Sequence, residues 1–210
     1  VIDQPFNEVL GLDAKEGRVF AIAGNFSNNL GLLEIDLNEN KWKYSSSIKA
    51  QITKQQISEP QPFWFNGFAN KKTHSWYYPP KTGRDESAPL LVKCHSGPTA
   101  MAKTSLNLEI QFWTSRGWGV LDVNYGGSTG FGRSYRERLK NAWGEVDVAD
   151  CLLATQSLIK EGKADKKFIA IEGGSAGGFT ALGCLCSSDI FKAAACKYAV
   201  TDLLSMSKLT

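Results

Sequence analysis

A chain of 210 residues with 42% apolar and 21% charged side chains can bury a core, which excludes a disordered segment. Its 24 basic and 21 acidic residues leave a formal charge of +3, and no Lys or Arg run forms a stripe for phosphates, so nucleic acid is excluded as a partner. No stretch approaches the roughly 20 apolar residues of a membrane helix, and a membrane is not an expected partner either.

The cysteines, at positions 94, 151, 184, 186 and 196, are odd in number and have no C-x-x-C spacing. Four sit in apolar segments and read as reduced core thiols. Cys184 and Cys186, two apart on an expected helix, point to nearly opposite sides and do not jointly hold a metal. No metal and no cofactor are expected.

In chain order, residues 1 to about 47 read as antiparallel strands: Arg18 to Gly24, Leu32 to Leu37 and Lys41 to Ser45, separated by turns rich in Asn, Ser and Gly. Three or four such strands match one blade of a β-propeller, or a small sheet packed on the next domain. A polar connection without clear period runs from Ile48 to Pro62. The expected domains are therefore 1–60, the last blade plus linker, and 61–210. The second opens with a hairpin, Phe63 to Ala69 and His74 to Tyr78, closed by a turn ending at Gly83. Strand Pro89 to Cys94 then delivers the loop His95-Ser96-Gly97-Pro98-Thr99. A helix from Leu106 to Arg116, a strand from Gly119 to Asn124 and a long helix from about Glu145 to Gly162 follow. Strands alternating with helices predict an α/β fold with a mostly parallel sheet covered on both faces. Such sheets carry their sites at the C-terminal ends of the strands, where loops 95–99, 124–132 and 173–178 arrive.

The last of these loops carries the chemistry. Phe168 to Glu172 is an apolar strand that runs into Gly173-Gly174-Ser175-Ala176-Gly177-Gly178 and then into an apolar helix. A serine on a sharp strand-to-helix turn needs neighbours almost without side chains, so Gly173-x-Ser175-x-Gly177 reads as a nucleophile elbow. The other reading, a phosphate-cradling loop, lacks a following Gly-Lys-Ser/Thr. The turn should be strained at Ser175.

Four motifs in order, His95-Ser96-Gly97-Pro98, Asn124 to Arg133, Trp143 to Asp150 and Gly173 to Gly178, resemble the catalytic domain of the prolyl oligopeptidase family of serine peptidases, closest to its acylaminoacyl-peptidase and dipeptidyl-aminopeptidase-like branches. The resemblance covers about residues 60 to 210. It implies an α/β-hydrolase domain preceded by a β-propeller, with Ser175 as nucleophile and the amides of Ala176 and Ser96 as oxyanion donors. Family members commonly carry glycine at Ser96, often tyrosine at Ala176, and arginine at Gly126. These departures bear on substrate subsites more than on chemistry, because the donors are backbone groups.

Other candidates read as supports. His95 lies upstream of Ser175, against the Ser, Asp, His order of this fold, and reads as loop-organising. With Tyr125 it could also line a pocket. Asp147 and Asp150 read as carboxylates at the positive end of a helix, and Phe131 as packing on its own domain.

A serine needs a base, and the only two histidines, His74 and His95, both precede Ser175. The chain thus reads as a fragment, the end of a propeller and the first part of a hydrolase, silent by itself. Its parent would be a peptidase acting on short peptides. The alternatives are a carboxylesterase-like acyl hydrolase and a non-catalytic binding protein that kept the fold. A homo-oligomer is left open, and the location expected is the cytoplasm, with an organellar leader possible upstream.

Overall fold

The structure, a computed structural model, describes residues 2–46, 52–82 and 87–209. Two sheets organise it. The first is antiparallel with the order β1 (Glu8–Lys15), β2 (Arg18–Asn25), β3 (Asn28–Asp36), β4 (Lys41–Ser45). Local chemistry sets its turns. Glu16 and Gly17 both take positive φ, 51° and 76°, which matches the right-handed twist of a two-residue hairpin. The Asn25 side chain accepts from the Ser27 amide, and Asp36 accepts from the amides of Asn38 and Glu39. Phe6, Ala23 and Leu33 form a small core against Ile35 and Tyr44.

β1 precedes the first strand expected from the sequence. Its register shifts between Leu10 and Leu12, and only Glu8 of the strand is buried, so the strand shows no two-residue alternation. The first part of the polar connection, residues 48–51, lies outside the described residues. Its second part is not loose. Ile57 and Ser58 are buried, and the Ser58 amide donates to Gln111 Oε1 at 2.7 Å while Gln111 Nε2 donates back to the Ser58 carbonyl at 3.1 Å.

The second sheet has six strands: β5 (Gln61–Asn66), β6 (Lys72–Tyr78), β7 (Ala88–Cys94), β8 (Gly119–Asn124), β9 (Ala164–Gly174) and β10 (Ala193–Lys197). Their spatial order is β10-β9-β7-β8-β6-β5. The first four run parallel, and β6 and β5 continue antiparallel. The turn after β6 expected to end at Gly83 falls there outside the described residues. Around the sheet lie α1 (Leu108–Thr114), α2 (Arg133–Arg136), α3 (Val146–Lys160), α4 (Ala176–Ser187) and α5 (Leu203–Leu209). Alternation along each strand divides the core. Val92, Leu121 and Ile171 pack with Cys151, Leu158 and Ala181 of α3 and α4, whereas Leu91 and Val120 pack with Ile110 of α1. The helix expected from Leu106 begins later, because Asn107 caps it by accepting from the amides of Glu109 and Ile110.

The thiols divide unequally. Cys94, Cys151 and Cys184 are buried, with the first two Sγ atoms 3.6 Å apart, but Cys186 and Cys196 are exposed. The expectation of four core thiols is corrected to three. Cys186 turns outward two positions beyond Cys184, and all of β10 is exposed.

Candidate active site

Strand β9 ends at Gly174, helix α4 begins at Ala176, and Ser175 makes the turn alone with φ 53° and ψ −119°. A positive φ at a residue with a Cβ is a strained conformation that persists only where its surroundings fix it. Those surroundings are visible. The Ser175 amide donates to the Lys197 carbonyl at 3.0 Å, and its own carbonyl accepts from the amides of Gly178, Phe179 and Val200. Both flanking glycines are forced by contact. A Cβ on Gly173 would stand 2.2 Å from the Gly177 carbonyl oxygen, and one on Gly177 would stand 2.1 Å from the Cys94 oxygen.

That last contact brings loop 95–99 against the elbow. The Ser96 hydroxyl donates to the Gly174 carbonyl at 3.0 Å, and a Cβ on Gly177 would also lie 2.7 Å from the His95 oxygen. The amides of Ser96 and Ala176 each have no protein acceptor among the described residues. His95 is held from behind. Its ring stacks on Tyr125 at 4.4 Å, and its Nε2 lies 2.8 Å from Ser128 Oγ. Burial lowers the His95 pKa, partly offset by hydrogen bonds from the ring to the backbone of Ser96 and Gly97. Of the two pocket candidates, His95 lines a cavity of about 690 Å³, whereas Tyr125 is fully buried behind it.

Asp147 and Asp150 do more than face a helix dipole. Asp147 accepts from the Gly144 amide at 2.6 Å and the Thr180 hydroxyl at 2.5 Å, tying α3 to α4 behind the elbow. Asp150 accepts from the amides of Phe68 and Gly126 at 2.6 and 2.7 Å, joining the β5–β6 hairpin to loop 124–132. Burial raises the pKa of both, against these hydrogen bonds. The two carboxylates have four partners that the sequence does not show: three are backbone amides, which leave no mark on a pattern of side chains, and the fourth is the hydroxyl of Thr180, 33 positions beyond Asp147. Phe131 packs on His74 and Tyr135 of its own domain.

His74 is a second residue whose surroundings the sequence did not show. It is boxed by Trp64, Trp76 and Phe131, with ring centroids at 4.8, 4.6 and 5.0 Å. The Asn124 amide group donates to its Nδ1 at 3.1 Å, and burial lowers its pKa to about 4. Neither histidine therefore hangs free beside Ser175.

Beneath the elbow, on the α1 face, three neighbouring strands place Glu172, Lys93 and Asp122 in one register row. Lys93 hydrogen-bonds Glu172 and lies 3.2 Å from Glu109, which also meets Lys197 at 3.1 Å. Burial opposes the charge on Lys93, yet the Glu172 bond and nearby carboxylates outweigh it and raise its pKa. The Asp122 carboxylate has no hydrogen bond among the described residues, and burial pushes its pKa up to about 7 despite Lys93. Only the charge-pair arithmetic of a folded sheet reveals this row, since its members are 29 to 79 positions apart.

The prolyl oligopeptidase family model matches residues 104–210, just over half of the chain and the part that holds the elbow. The chain belongs to the prolyl oligopeptidase family. Among its relatives, the acylamino-acid-releasing enzyme of Arabidopsis thaliana is 32% identical over 167 residues, 79% of this chain and 22% of that protein. A solved puromycin-hydrolyzing peptidase of Mycobacterium tuberculosis superposes with a TM-score of 0.94 at 36% identity, covering 100% of this chain and 33% of that one. An acylaminoacyl peptidase of Pyrococcus horikoshii gives 0.80 at 27% identity, covering 95% and 32%. This family member thus spans about a third or less of these relatives.

The likeness extends over both sheets, so the antiparallel β1–β4 sheet and the α/β sheet correspond to the propeller and α/β-hydrolase parts of the family. Among the described residues no helix is long and apolar enough to cross a membrane.

Proposed function

We propose that the complete protein is a serine peptidase that cleaves short peptides through an acyl-enzyme on Ser175. The observation that carries this reading is Ser175 alone on the strained turn between β9 and α4, with loop 95–99 pressed onto the same turn. In this reaction Ser175 Oγ attacks the peptide carbonyl carbon while a base takes its proton. The amides of Ala176 and Ser96 receive the oxygen as it gains charge, and losing one such donor typically costs about 3 to 4 kcal/mol of transition-state stabilisation. The tetrahedral intermediate then expels the amine, which leaves with that proton, and water releases the acyl group by the same steps in reverse.

The base is assigned outside residues 1–210, because His74 is bound to Asn124 and His95 to Ser128. The domains follow the same reading: 1–60 ends a propeller, and 61–210 begins the hydrolase. A fluorophosphonate probe tests the proposal. The complete protein should label at Ser175 and lose labelling in S175A, and residues 1–210 alone should stay unlabelled. An unlabelled complete protein would overturn the peptidase reading, and stoichiometric labelling of residues 1–210 would overturn the placement of the base.

A further inference from the structure

We propose that Lys93 is a positioning residue for the reaction at Ser175: through its ion pair with Glu172 it fixes the gap between the strand ends that carry the oxyanion amide and the nucleophile. This rests on the acyl-transfer reading of Ser175.

Register carries the first part of the argument. β7 and β9 pair from Ala88 with Ala164 up to Cys94 with Gly173, and beyond that rung β7 runs into loop 95–99 while β9 runs into the elbow. The final rung has no side chain on its β9 side. Lys93 with Glu172, one rung earlier, is therefore the last place where side chains can tie the two strands together. Ser96 lies three residues beyond Lys93, and Ser175 three beyond Glu172. A change of separation at this rung passes directly to both groups.

Two opposed forces set that separation. On the face covered by α3 and α4, the Cys94 carbonyl stands where a Gly177 Cβ would be, a steric contact that limits how closely β7 can approach the elbow. On the α1 face, the Lys93 and Glu172 charges pull the same strands together. Their side chains are buried, so salt and water screen the attraction little. A buried ion pair adds little net stability over apolar side chains of equal volume, but a charge-assisted hydrogen bond holds one short separation where apolar side chains slide. The pair is also anchored from outside the two strands. Glu109 of α1 meets both Lys93 and Lys197, at 3.2 and 3.1 Å, and the Lys197 carbonyl accepts from the Ser175 amide at 3.0 Å. From Ser175 through Lys197, Glu109, Lys93 and Glu172, these contacts close a ring around the base of the elbow. Asp122 stands in the same row, yet it has no hydrogen bond to Lys93 among the described residues.

The test uses the complete protein, an acyl p-nitroanilide substrate and a peptidyl trifluoromethyl ketone, whose hemiketal oxygen draws on the oxyanion donors as the transition state does. Rates are expressed per active site titrated with a fluorophosphonate, so that a loss of folded protein does not enter kcat. E172L is the informative variant, since it breaks the tie and leaves Lys93 its contact with Glu109. Expected is a fall in kcat of about tenfold to a hundredfold, the scale of a misplacement of about 1 Å, with KM within about twofold of wild type and the ketone weakened in proportion to kcat. E172Q, which keeps the shape and a neutral acceptor, should fall in the same direction by less. K93M should match E172L, and K93M/E172L should lose no more than either single change, because one tie is broken once. K93R keeps the cation and should stay within about threefold of wild type, and D122N within about twofold. A lowered unfolding midpoint with kcat per site unchanged in E172L and E172Q would make the pair a purely structural element and overturn the proposal. So would a D122N loss equal to that of E172L, or a raised KM with kcat and ketone affinity intact. Failure of the wild-type protein to label at Ser175 is a different outcome, because it removes the acyl-transfer reading itself and with it the basis for this one.

Discussion

The carbonyl oxygen of Cys94 fills the place of the side chain that Gly177 lacks: a Cβ there would stand 2.1 Å from it. Because the His95 oxygen lies 2.7 Å from the same point, both obstacles are backbone of the strand and loop that face the nucleophile. Neither can rotate away. G177A should therefore push loop 95–99 off the elbow, cost about 3 kcal/mol of stability and abolish fluorophosphonate labelling of Ser175. G162A is the control, since Gly162 has φ 73° but nothing within 4 Å of its Cβ position. It should cost only the strain of a left-handed alanine, about 1 kcal/mol, and label normally. Equal effects of the two substitutions would show that close approach at Gly177 is unimportant.

The contrast also shows what the sequence could and could not disclose. Gly173-x-Ser175-x-Gly177 was legible because small residues at fixed spacing are the direct imprint of a tight turn, and the parallel strands were legible because each is a short apolar run. Asp150 illustrates the opposite case. Its position near a helix start suggests a dipole role, yet its two partners are amides contributed by Phe68 and Gly126, 82 and 24 positions away. Nothing in the side chains at those positions announces them. β1 was hidden for another reason, since a strand with one buried residue and a bulge has no period to read.

Asp150 supplies a second prediction. D150N keeps the shape but replaces one carboxylate oxygen by an NH₂ group that must face a backbone N–H, at Phe68 or at Gly126. Hydrogen bonds to a charged acceptor are the strong kind, and stranding a buried donor adds its desolvation cost, so a loss of about 3 kcal/mol is expected. Amide hydrogen exchange provides the specific readout. One of the two amides should exchange faster in D150N at unchanged denaturant, and uniform protection at both would contradict the bridging role.

His74 should titrate far below an ordinary histidine. Burial takes its pKa from 6.5 to about 4, and its Nδ1 must stay unprotonated to accept from Asn124. The unfolded chain therefore binds more protons than the folded one between these two values. The His74 contribution to stability is fully present above about pH 6.5 and is lost as pH falls towards 4. Imidazole C–H shifts followed by NMR should give a midpoint near 4 for His74, and a midpoint at 6 or above would refute the caged, neutral ring. H74N, which removes the titration, should flatten the fall in stability across this window.

The row Glu172, Lys93, Asp122 makes the strongest stability prediction. Lys93 is the only cation of the row, with its side chain 15% exposed and that of Glu172 10% exposed. Removing the cation leaves carboxylates that burial has already made costly, so K93M should destabilise by about 3 to 5 kcal/mol, as expected when one partner of a buried pair is lost. E172Q removes the most buried partner of the ammonium and leaves it Glu109 at 3.2 Å, so its cost should be smaller. The double variant K93M/E172Q removes both charges and should be more stable than the sum of the single losses implies, by up to about 3 kcal/mol of coupling. Asp122 gives the pH signature. Its folded pKa of about 7 exceeds the ordinary 3.8 because burial outweighs the pull of Lys93, so without Lys93 it rises further. An acid with a raised folded pKa binds more protons folded than unfolded, and its stability deficit grows as pH rises through that range. The difference between K93M and wild type should therefore shrink as pH is lowered from 8 to 5, with any His74 effect cancelling between the two proteins. Denaturant unfolding at both pH values measures it, and a difference that is constant or grows on acidification would show that Lys93 stabilises by packing of its stem rather than by its charge.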